Sequence, residues 1–193
     1  MRNAAHRVAV AGDLDLGALQ RGERPAVAEA LRLLLPRVRA WLQRMLGPGH
    51  DIDDATQDAL IELAKSLPTF RGDSKLTTFA HRVVVRVAYR RFRQPARTLE
   101  LVSPPVDELD PESRAMGREA LRRVHACLAR MKDKPRVAFV LCCVEGLTPS
   151  EAAEIEGVSA VTMRSRLMNA RAEVSRRLDH DPYVVALTKK GAR

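Results

Sequence analysis

The sequence predicts an all-α protein in which two helical modules are joined by an extended linker. Only 4% of its 193 residues are aromatic, which favours helical cores of Leu, Val and Ala over aromatic-rich sheets. Apolar residues recur at spacings of three and four along most of the chain, as in helices with one buried face. Residues 94–113 interrupt this pattern with prolines and carboxylates, a composition typical of a linker.

The first module is expected to span residues 14–93 and to contain three helices. The first helix, over residues 24–46, ends at a Gly-Pro-Gly sequence and has the apolar positions Leu31, Leu34, Leu35, Val38, Trp41, Leu42 and Met45. A second helix, over residues 51–66, has the apolar positions Ile52, Ala55, Ala59, Leu60 and Leu63. The third, over residues 76–93, follows a turn at residues 70–74 and buries Leu76, Phe79, Ala80, Val83 and Val87.

One face of the second helix is acidic, and one face of the third helix is basic. An acidic strip on the second helix has Gln57 beside it and comprises Asp51, Asp54, Asp58 and Glu62. Residues 74–99 contain seven basic residues and no acidic one, and one face of the third helix carries Arg82, Arg86, Arg90 and Arg93. Because a solvated face usually mixes signs, both surfaces indicate charged partners.

The second module, residues 114–178, is expected to end in a helix-turn-helix. Helices are predicted over residues 113–131 and 135–145, followed by a shorter pair over 149–156 and 160–178. In that pair Ala153 is small enough for a close helix contact, Gly157 tolerates a positive φ at the turn, and Ser159 can cap the last helix. These three residue types together favour a helix-turn-helix over a plain helical hairpin.

The last helix has side chains suited to a DNA major groove. Arg, Asn and Ser bind base edges and phosphates. The residues expected to face outward are Thr162, Arg164, Ser165, Arg166, Asn169 and Arg171. Those expected to face inward are Val161, Met163, Leu167 and Val174.

The charge and the motifs exclude several classes of protein. A net charge of +9 favours a polyanionic partner, with nucleic acid first and an anionic membrane second. No membrane span or signal peptide is expected, so the protein is expected in the cytoplasm. Neither a phosphate-binding loop nor the zinc-protease or serine-hydrolase motif occurs, so neither catalysis nor a cofactor is expected.

Two groups of residues were candidates for a metal site, and neither has a usual ligand spacing. The first is His125, Cys127, Cys142 and Cys143. An odd number of cysteines with an adjacent pair also disfavours disulfides, so buried thiols are expected. The second is the carboxylate cluster Asp51, Asp53, Asp54 and Asp58, which lies on a helix rather than in a Gly-containing Ca²⁺ loop. An acidic docking surface is favoured there.

Two sets of residues resemble the sigma-70 family, in its short extracytoplasmic-function type. The resemblance covers residues 14–93 and 115–178. The run from Asp51 to Asp58, with Phe70-Arg71-Gly72-Asp73-Ser74 and Thr78-Phe79, is similar to region 2. The run from Leu147 to Glu154, with Gly157-Val158-Ser159 and the run from Thr162 to Leu167, is similar to region 4. The resemblance implies a dissociable, non-catalytic subunit of bacterial RNA polymerase that directs the enzyme to promoters and helps to open them.

The resemblance also implies which residues make contact. Docking on the clamp helices of the largest polymerase subunit would use Asp54, Gln57, Asp58 and Glu62. Binding and melting of the minus-10 element, with one base flipped into a pocket, would use Phe70, Ser74, Lys75, Thr78, Arg82, Arg86 and Arg90. Recognition of the minus-35 element would use Thr162, Arg164, Ser165, Arg166, Asn169 and Arg171.

Further implications concern the linker, the regulator and one unusual residue. The acidic linker would thread toward the active-site and RNA-exit channels of the polymerase, and an anti-sigma factor is an expected partner. Family members often carry Asn where this chain has Arg86. Residues 179–193 form a tail without an assigned role.

Three other interpretations stay open at this point. A stand-alone helix-turn-helix regulator would leave the acidic strip and the basic third helix unexplained. An interaction protein could keep the sigma shape and only titrate an anti-sigma factor. A metal-dependent nucleic-acid enzyme would need the carboxylates around Asp54 to converge on an ion.

Overall fold

The computed structural model describes residues 14–47, 50–93, 119, 122–179 and 181–182. Within these ranges the regular elements are helical and no strand occurs, which confirms the all-α class. The chain divides into two compact units. The described residues of the first are 14–43 and 51–93, and those of the second are 44–47, 50 and the residues from 119 onward. The predicted linker, residues 94–113, lies outside the described residues.

The first unit contains the three predicted helices and a short additional one. The elements are α1 (Leu16–Gln20), α2 (Arg24–Leu46, of which residues 44–46 are assigned to the second unit), α3 (Ile52–Ser66), a 3₁₀ turn (Leu67–Thr69) and α4 (Leu76–Phe92). Asp51 caps α3, since its carboxylate accepts a hydrogen bond from the Asp54 N–H at 2.9 Å. Asp15 caps α1 in the same way through the Ala18 N–H at 3.0 Å. A helix of five residues is too short for apolar periodicity to reveal it.

The core of the first unit is built from small and branched side chains. Its fully buried members include Leu34, Val38, Leu42, Ala55, Ala59, Leu63, Ala80, Val83 and Val87. The indole of Trp41 stacks on the imidazole of His81, with ring centroids 4.0 Å apart. Leu35 was predicted to be buried and is exposed, because the buried stripe follows the spacing of Leu34 and Val38 and Leu35 lies about 100° around the helix from Leu34.

The second unit contains α5 (residues 122–129), α6 (Asp133–Phe139), a π-helical turn (Val140–Val144), α7 (Pro149–Glu156) and α8 (Ala160–Leu178). The start predicted for α5, at residue 113, lies outside the described residues. Helix α6 begins two residues before the predicted start at Pro135. A proline is compatible with the first turn because the N–H groups there have no intrahelical acceptor.

Helix α8 packs on both α6 and α7. The buried residues of these three helices include Val137, Ala138, Ala152, Ala153, Ile155, Met163, Leu167 and Ala170. At the far end, the carboxylate of Asp181 accepts a hydrogen bond from Arg123 of α5 at 2.9 Å, so the first residues of the predicted tail contact the second unit. Residues 183–193 lie outside the described part of the chain.

The three cysteines differ in exposure. Cys127 is buried, Cys142 is half-buried and Cys143 is exposed. The expectation of buried thiols is therefore wrong for Cys143, which lies on the solvent side of the π-helical turn. No helix in the described ranges is long and apolar enough to span a membrane.

Candidate nucleic-acid interface

The geometry of the helix-turn-helix is the one that the sequence predicts. Gly157 ends α7 in the left-handed region, with φ 65° and ψ 35°, where a side chain would be strained. The Ser159 hydroxyl accepts a hydrogen bond from the Thr162 N–H at 3.1 Å and so caps α8. Ala153 is buried as expected. The turn and the cap therefore set the direction in which α8 leaves α7.

The outer face of α8 presents polar side chains to solvent. Arg164, Ser165 and Asn169 are exposed and make no hydrogen bond or ion pair with other described residues. Thr162 is exposed as well, and its hydroxyl shares a hydrogen bond of 2.9 Å with the Ser159 hydroxyl. The donors of Arg164, Ser165 and Asn169 are thus available to an external ligand.

Arg166 has a different environment from its neighbours. Its guanidinium donates to the Glu156 carboxylate of α7 at 2.5 Å, and the two side chains are only 16% and 4% exposed. The outward position expected for Arg166 is therefore not observed. The ion pair between Arg166 and Glu156 connects α8 to α7. A contact of Arg166 with DNA stays a prediction.

Arg171 is exposed and lies against the π-helical turn. A hydrogen bond to the sulfur of Cys143 raises the pKa of the Arg171 guanidinium. Burial raises the pKa of the neighbouring Cys142 thiol. The sequence places Arg171 on the outer face of α8 but gives no sign of this contact between α8 and the turn.

Two apolar side chains also lie on the outer face of α8. Val161 is 68% exposed and Met168 is 66% exposed. The expectation that Val161 faces inward is wrong, because the buried line of α8 runs through Met163, Leu167 and Ala170 and Val161 lies about 200° around the helix from Met163. Sequence reasoning missed Met168, although its spacing of four from Arg164 places it on the same face.

The acidic strip of the first unit is paired with the basic helix α4. Arg91 donates to Asp54 at 2.7 Å and also to Asp58, while Arg90 pairs with Glu62. The Arg91 side chain is only 12% exposed. Burial lowers the pKa of its guanidinium, but the hydrogen bonds to Asp54 and Asp58 outweigh burial and raise the pKa. Two of the predicted docking carboxylates therefore converge on a guanidinium.

Neither candidate metal site has a group of ligands in the part of the chain that the structure describes. No three His, Cys, Asp or Glu side chains there come together in a way that could hold an ion. Asp53, the remaining carboxylate at the start of α3, pairs with Arg39 of α2. Of the four carboxylates in this cluster, Asp53, Asp54 and Asp58 thus pair with arginines, and Asp51 caps α3.

The solvent side of α3 is less acidic than the sequence suggests. Gln57 is exposed and has no hydrogen bond among the described residues, and Ile61, one turn further, is 45% exposed. Asp54 borders these two residues and is itself exposed. Sequence reasoning missed Ile61, which its spacing of four from Gln57 could have placed on this face.

The predicted melting residues fall into three groups. Phe70 is buried, and its ring lies 5.2 Å from that of Phe79, so it packs within the unit. Lys75, Arg86 and Arg90 are exposed, and Arg90 is paired with Glu62. Ser74, Thr78 and Arg82 are half-buried. Arg86 has no ion pair within the described residues. Lys75 and Arg86 are therefore exposed cations suited to a phosphate backbone.

The fold and these faces define a two-unit helical protein with a DNA-binding helix-turn-helix in the second unit. The family model of Sigma-70 region 2 matches residues 31–98, and that of Sigma-70 region 4 matches residues 121–174. The chain belongs to the sigma-70 family, in its extracytoplasmic-function (ECF) type.

Curated relatives extend over most of the chain. The ferric citrate uptake sigma factor FecI of Escherichia coli is 33% identical over 69% of this chain and 79% of its own length. The RNA polymerase sigma factor CnrH of Cupriavidus metallidurans is 30% identical over 69% and 76%. The ECF sigma factor SigM of Mycobacterium tuberculosis is 31% identical over 68% of this chain, and the match spans 66% of SigM.

Solved structures share the fold at lower sequence identity. CnrH in complex with the cytosolic domain of CnrY has a TM-score of 0.64 at 22% identity, over 86% of this chain and 96% of that one. The sigma factor RpoE of Bartonella quintana, in complex with the anti-sigma factor NepR, has a TM-score of 0.62 at 20% identity, over 80% and 97%.

Proposed function

We propose that this protein is a promoter-specific transcription initiation factor that binds bacterial core RNA polymerase, recognises the minus-35 and minus-10 elements and assists promoter melting. The observation that carries the proposal is that the matches to regions 2 and 4 fall mainly on separate units, each with its own exposed face. The protein contributes no catalysis of its own, and it acts in the cytoplasm, where polymerase and promoter DNA are found.

Recognition of the minus-35 element is assigned to the outer face of α8. The major groove, about 12 Å wide, admits a helix, and the N-terminal residues of a recognition helix contact base edges. Arg164 and Ser165 lie in the first two turns of α8 and are exposed. Because their donors have no partner among the described residues, binding would not require them to break an internal bond.

Replacing Arg164 by Ala is expected to weaken minus-35 binding by about 1–3 kcal/mol, because a base-contacting guanidinium is lost. Footprinting and titration of the polymerase complex on a promoter fragment measure this change. The matched control is Arg176→Ala, which removes an exposed arginine from the last turn of the same helix. An unchanged footprint at the minus-35 element in the Arg164 variant would contradict the assignment.

Promoter melting is assigned to α4 and the loop before it. Opening DNA costs about 1.4 kcal/mol per base-pair step in lost stacking, so the unpaired strand must be bound well. Exposed cations such as Lys75 and Arg86 supply phosphate contacts. Phe70, at the start of this loop, is buried against Phe79 of α4, so it anchors the loop to the helix.

Replacing Arg86 by Asn is expected to change the base preference at the minus-10 element, because it exchanges a long cation for a short amide with both donor and acceptor. Transcription from a library randomised over that element measures the preference. Arg86→Lys is the control, since it retains the charge. If the Asn variant and the unaltered protein select the same sequences, Arg86 does not contact the opened strand.

The α3 face is assigned to core polymerase, with Gln57, Ile61 and the outer edge of Asp54 as its exposed centre. Glu62 and Asp58 are held against α4 by arginines, and only the exposed part of each carboxylate would contact the polymerase.

We further propose regulation by an anti-sigma factor. The support is that two structural neighbours were solved in complex with the cytosolic domain of CnrY and with the anti-sigma factor NepR.

Run-off transcription with core polymerase and a promoter library tests the proposed function directly. We expect transcripts from a defined subset of promoters only when the protein is added. A stand-alone regulator would instead bind duplex DNA without co-eluting with core polymerase. A protein that only titrates an anti-sigma factor would give no transcript. Either result would overturn the proposal.

A further inference from the structure

Val161 and Met168 form an exposed apolar pair on the helix assigned to DNA. About two-thirds of each side chain is exposed. Neither residue belongs to the buried line of α8, which runs through Met163, Leu167 and Ala170. A separation of seven residues places them almost on one line along the helix, about 10 Å apart. Arg164 and Ser165 lie between them. Any ligand that Arg164 touches from this face would therefore also meet apolar groups at both ends.

The charge around the pair favours DNA over an apolar protein surface. Residues 160–172 contain no acidic residue, and Arg164 and Arg171 are exposed cations there, whereas the charge of Arg166 is paired with Glu156. On a major-groove edge, the apolar group offered by a base pair is the C5-methyl of thymine. A distance of about 10 Å corresponds to about three base pairs at about 3.4 Å each.

We propose that Val161 and Met168 are specificity-determining residues that contact thymine methyl groups, one toward each end of the base pairs read by α8. The inference rests on the proposed function and deepens it. Arg164 and Ser165 supply polar contacts between them, while the apolar pair selects thymine over cytosine at the flanking positions. A guanidinium alone would favour guanine, so the apolar pair adds information that the arginine cannot supply.

Deoxyuridine in place of thymine tests this inference, because it removes the methyl group and leaves base pairing intact. The complex of the full chain with core polymerase is titrated with duplex promoter fragments carrying one deoxyuridine at a time in the minus-35 element. We expect single substitutions to lower affinity about fourfold, the effect of burying one methyl group. In Met168→Ala one of these effects should disappear, and in Val161→Ala another.

Arg164→Ala is the control, because it should weaken binding while both deoxyuridine effects remain. Thermal unfolding checks that Val161→Ala and Met168→Ala keep the stability of the unaltered protein, as expected for exposed positions. The inference is overturned if deoxyuridine has no effect, if the variants retain both effects, or if the preferred element contains no thymine. It is also overturned if the variants weaken only the binding of a regulator protein.

This design separates the inference from the proposed function. Promoter-specific binding that ignores thymine methyl groups would overturn the roles of Val161 and Met168 and leave the proposed function standing. Loss of all promoter specificity in the unaltered protein would overturn both.

Discussion

Replacing Asp54 and Asp58 together by arginine is expected to abolish co-elution with core RNA polymerase. The change reverses the charge at two positions of the predicted docking strip. It also places two new cations beside Arg91, whose side chain is only 12% exposed and now donates to both carboxylates. We therefore expect a second effect, a lower melting temperature of the first unit, because like charges at such short range repel. Size-exclusion chromatography and circular dichroism measure the two effects.

A single change at Gln57 separates docking from folding. Gln57→Arg adds a positive charge on the exposed side of α3 and leaves both partners of Arg91 in place. We expect weaker co-elution with no loss of melting temperature. The matched control is Glu29→Arg, a charge reversal on an exposed position of α2, which should bind polymerase normally. Full polymerase binding by the Gln57 variant and by the double variant would refute the docking assignment.

Replacing Arg166 by Met is expected to destabilise the second unit by about 3 kcal/mol. This is the lower end of the cost of removing one member of a buried ion pair, and Arg166 retains 16% exposure. Its partner Glu156 is 4% exposed and would lose the charged partner that Arg166 supplies. A total stability of about 5–15 kcal/mol makes such a loss large. Denaturant unfolding followed by circular dichroism measures it.

The corresponding change at Arg164 is the control. Arg164 is exposed and has no ion pair among the described residues, so Arg164→Met should alter stability by no more than about 0.5 kcal/mol. Both variants should bind DNA less well, the first through folding and the second through a lost contact. Equal stability of the two variants would show that the Arg166–Glu156 pair does not hold α8 to α7.

The predictions that agree with the structure depend on local chemistry. Helices α3 and α8 begin where Asp51 and Ser159 supply capping oxygens, and α7 ends where Gly157 takes a positive φ. Each feature depends on residues within about one turn of one another, so a single stretch of sequence contains the whole cause. The π-helical turn at Val140–Val144 lacks such a local signature, and the sequence predicts an uninterrupted helix there.

Local sequence patterns do not show which charged residues of one helix pair with residues of another. The sequence pattern predicts that the acidic strip and the basic helix are separate binding surfaces, yet Asp54 and Arg91 are partners despite being 37 residues apart in sequence. In the same way, Arg166 and Glu156 face each other only because α7 and α8 pack together. A pattern on one helix shows which residues share a face, but the neighbouring helix decides which of them remain available to a partner.

The helical class and the helix-turn-helix follow from the sequence alone, because helix periodicity, caps and the turn glycine act over a few residues, and the motif residues carry the sigma-70 resemblance. Which polar side chains pair within the protein depends on how the helices pack. The packing pairs Arg166, Arg90 and Arg91 with carboxylates, and it leaves Arg164, Arg86 and Gln57 exposed to solvent. The same packing leaves Val161 and Met168 exposed, because burial depends on the contacts between helices rather than on the composition of any one helix.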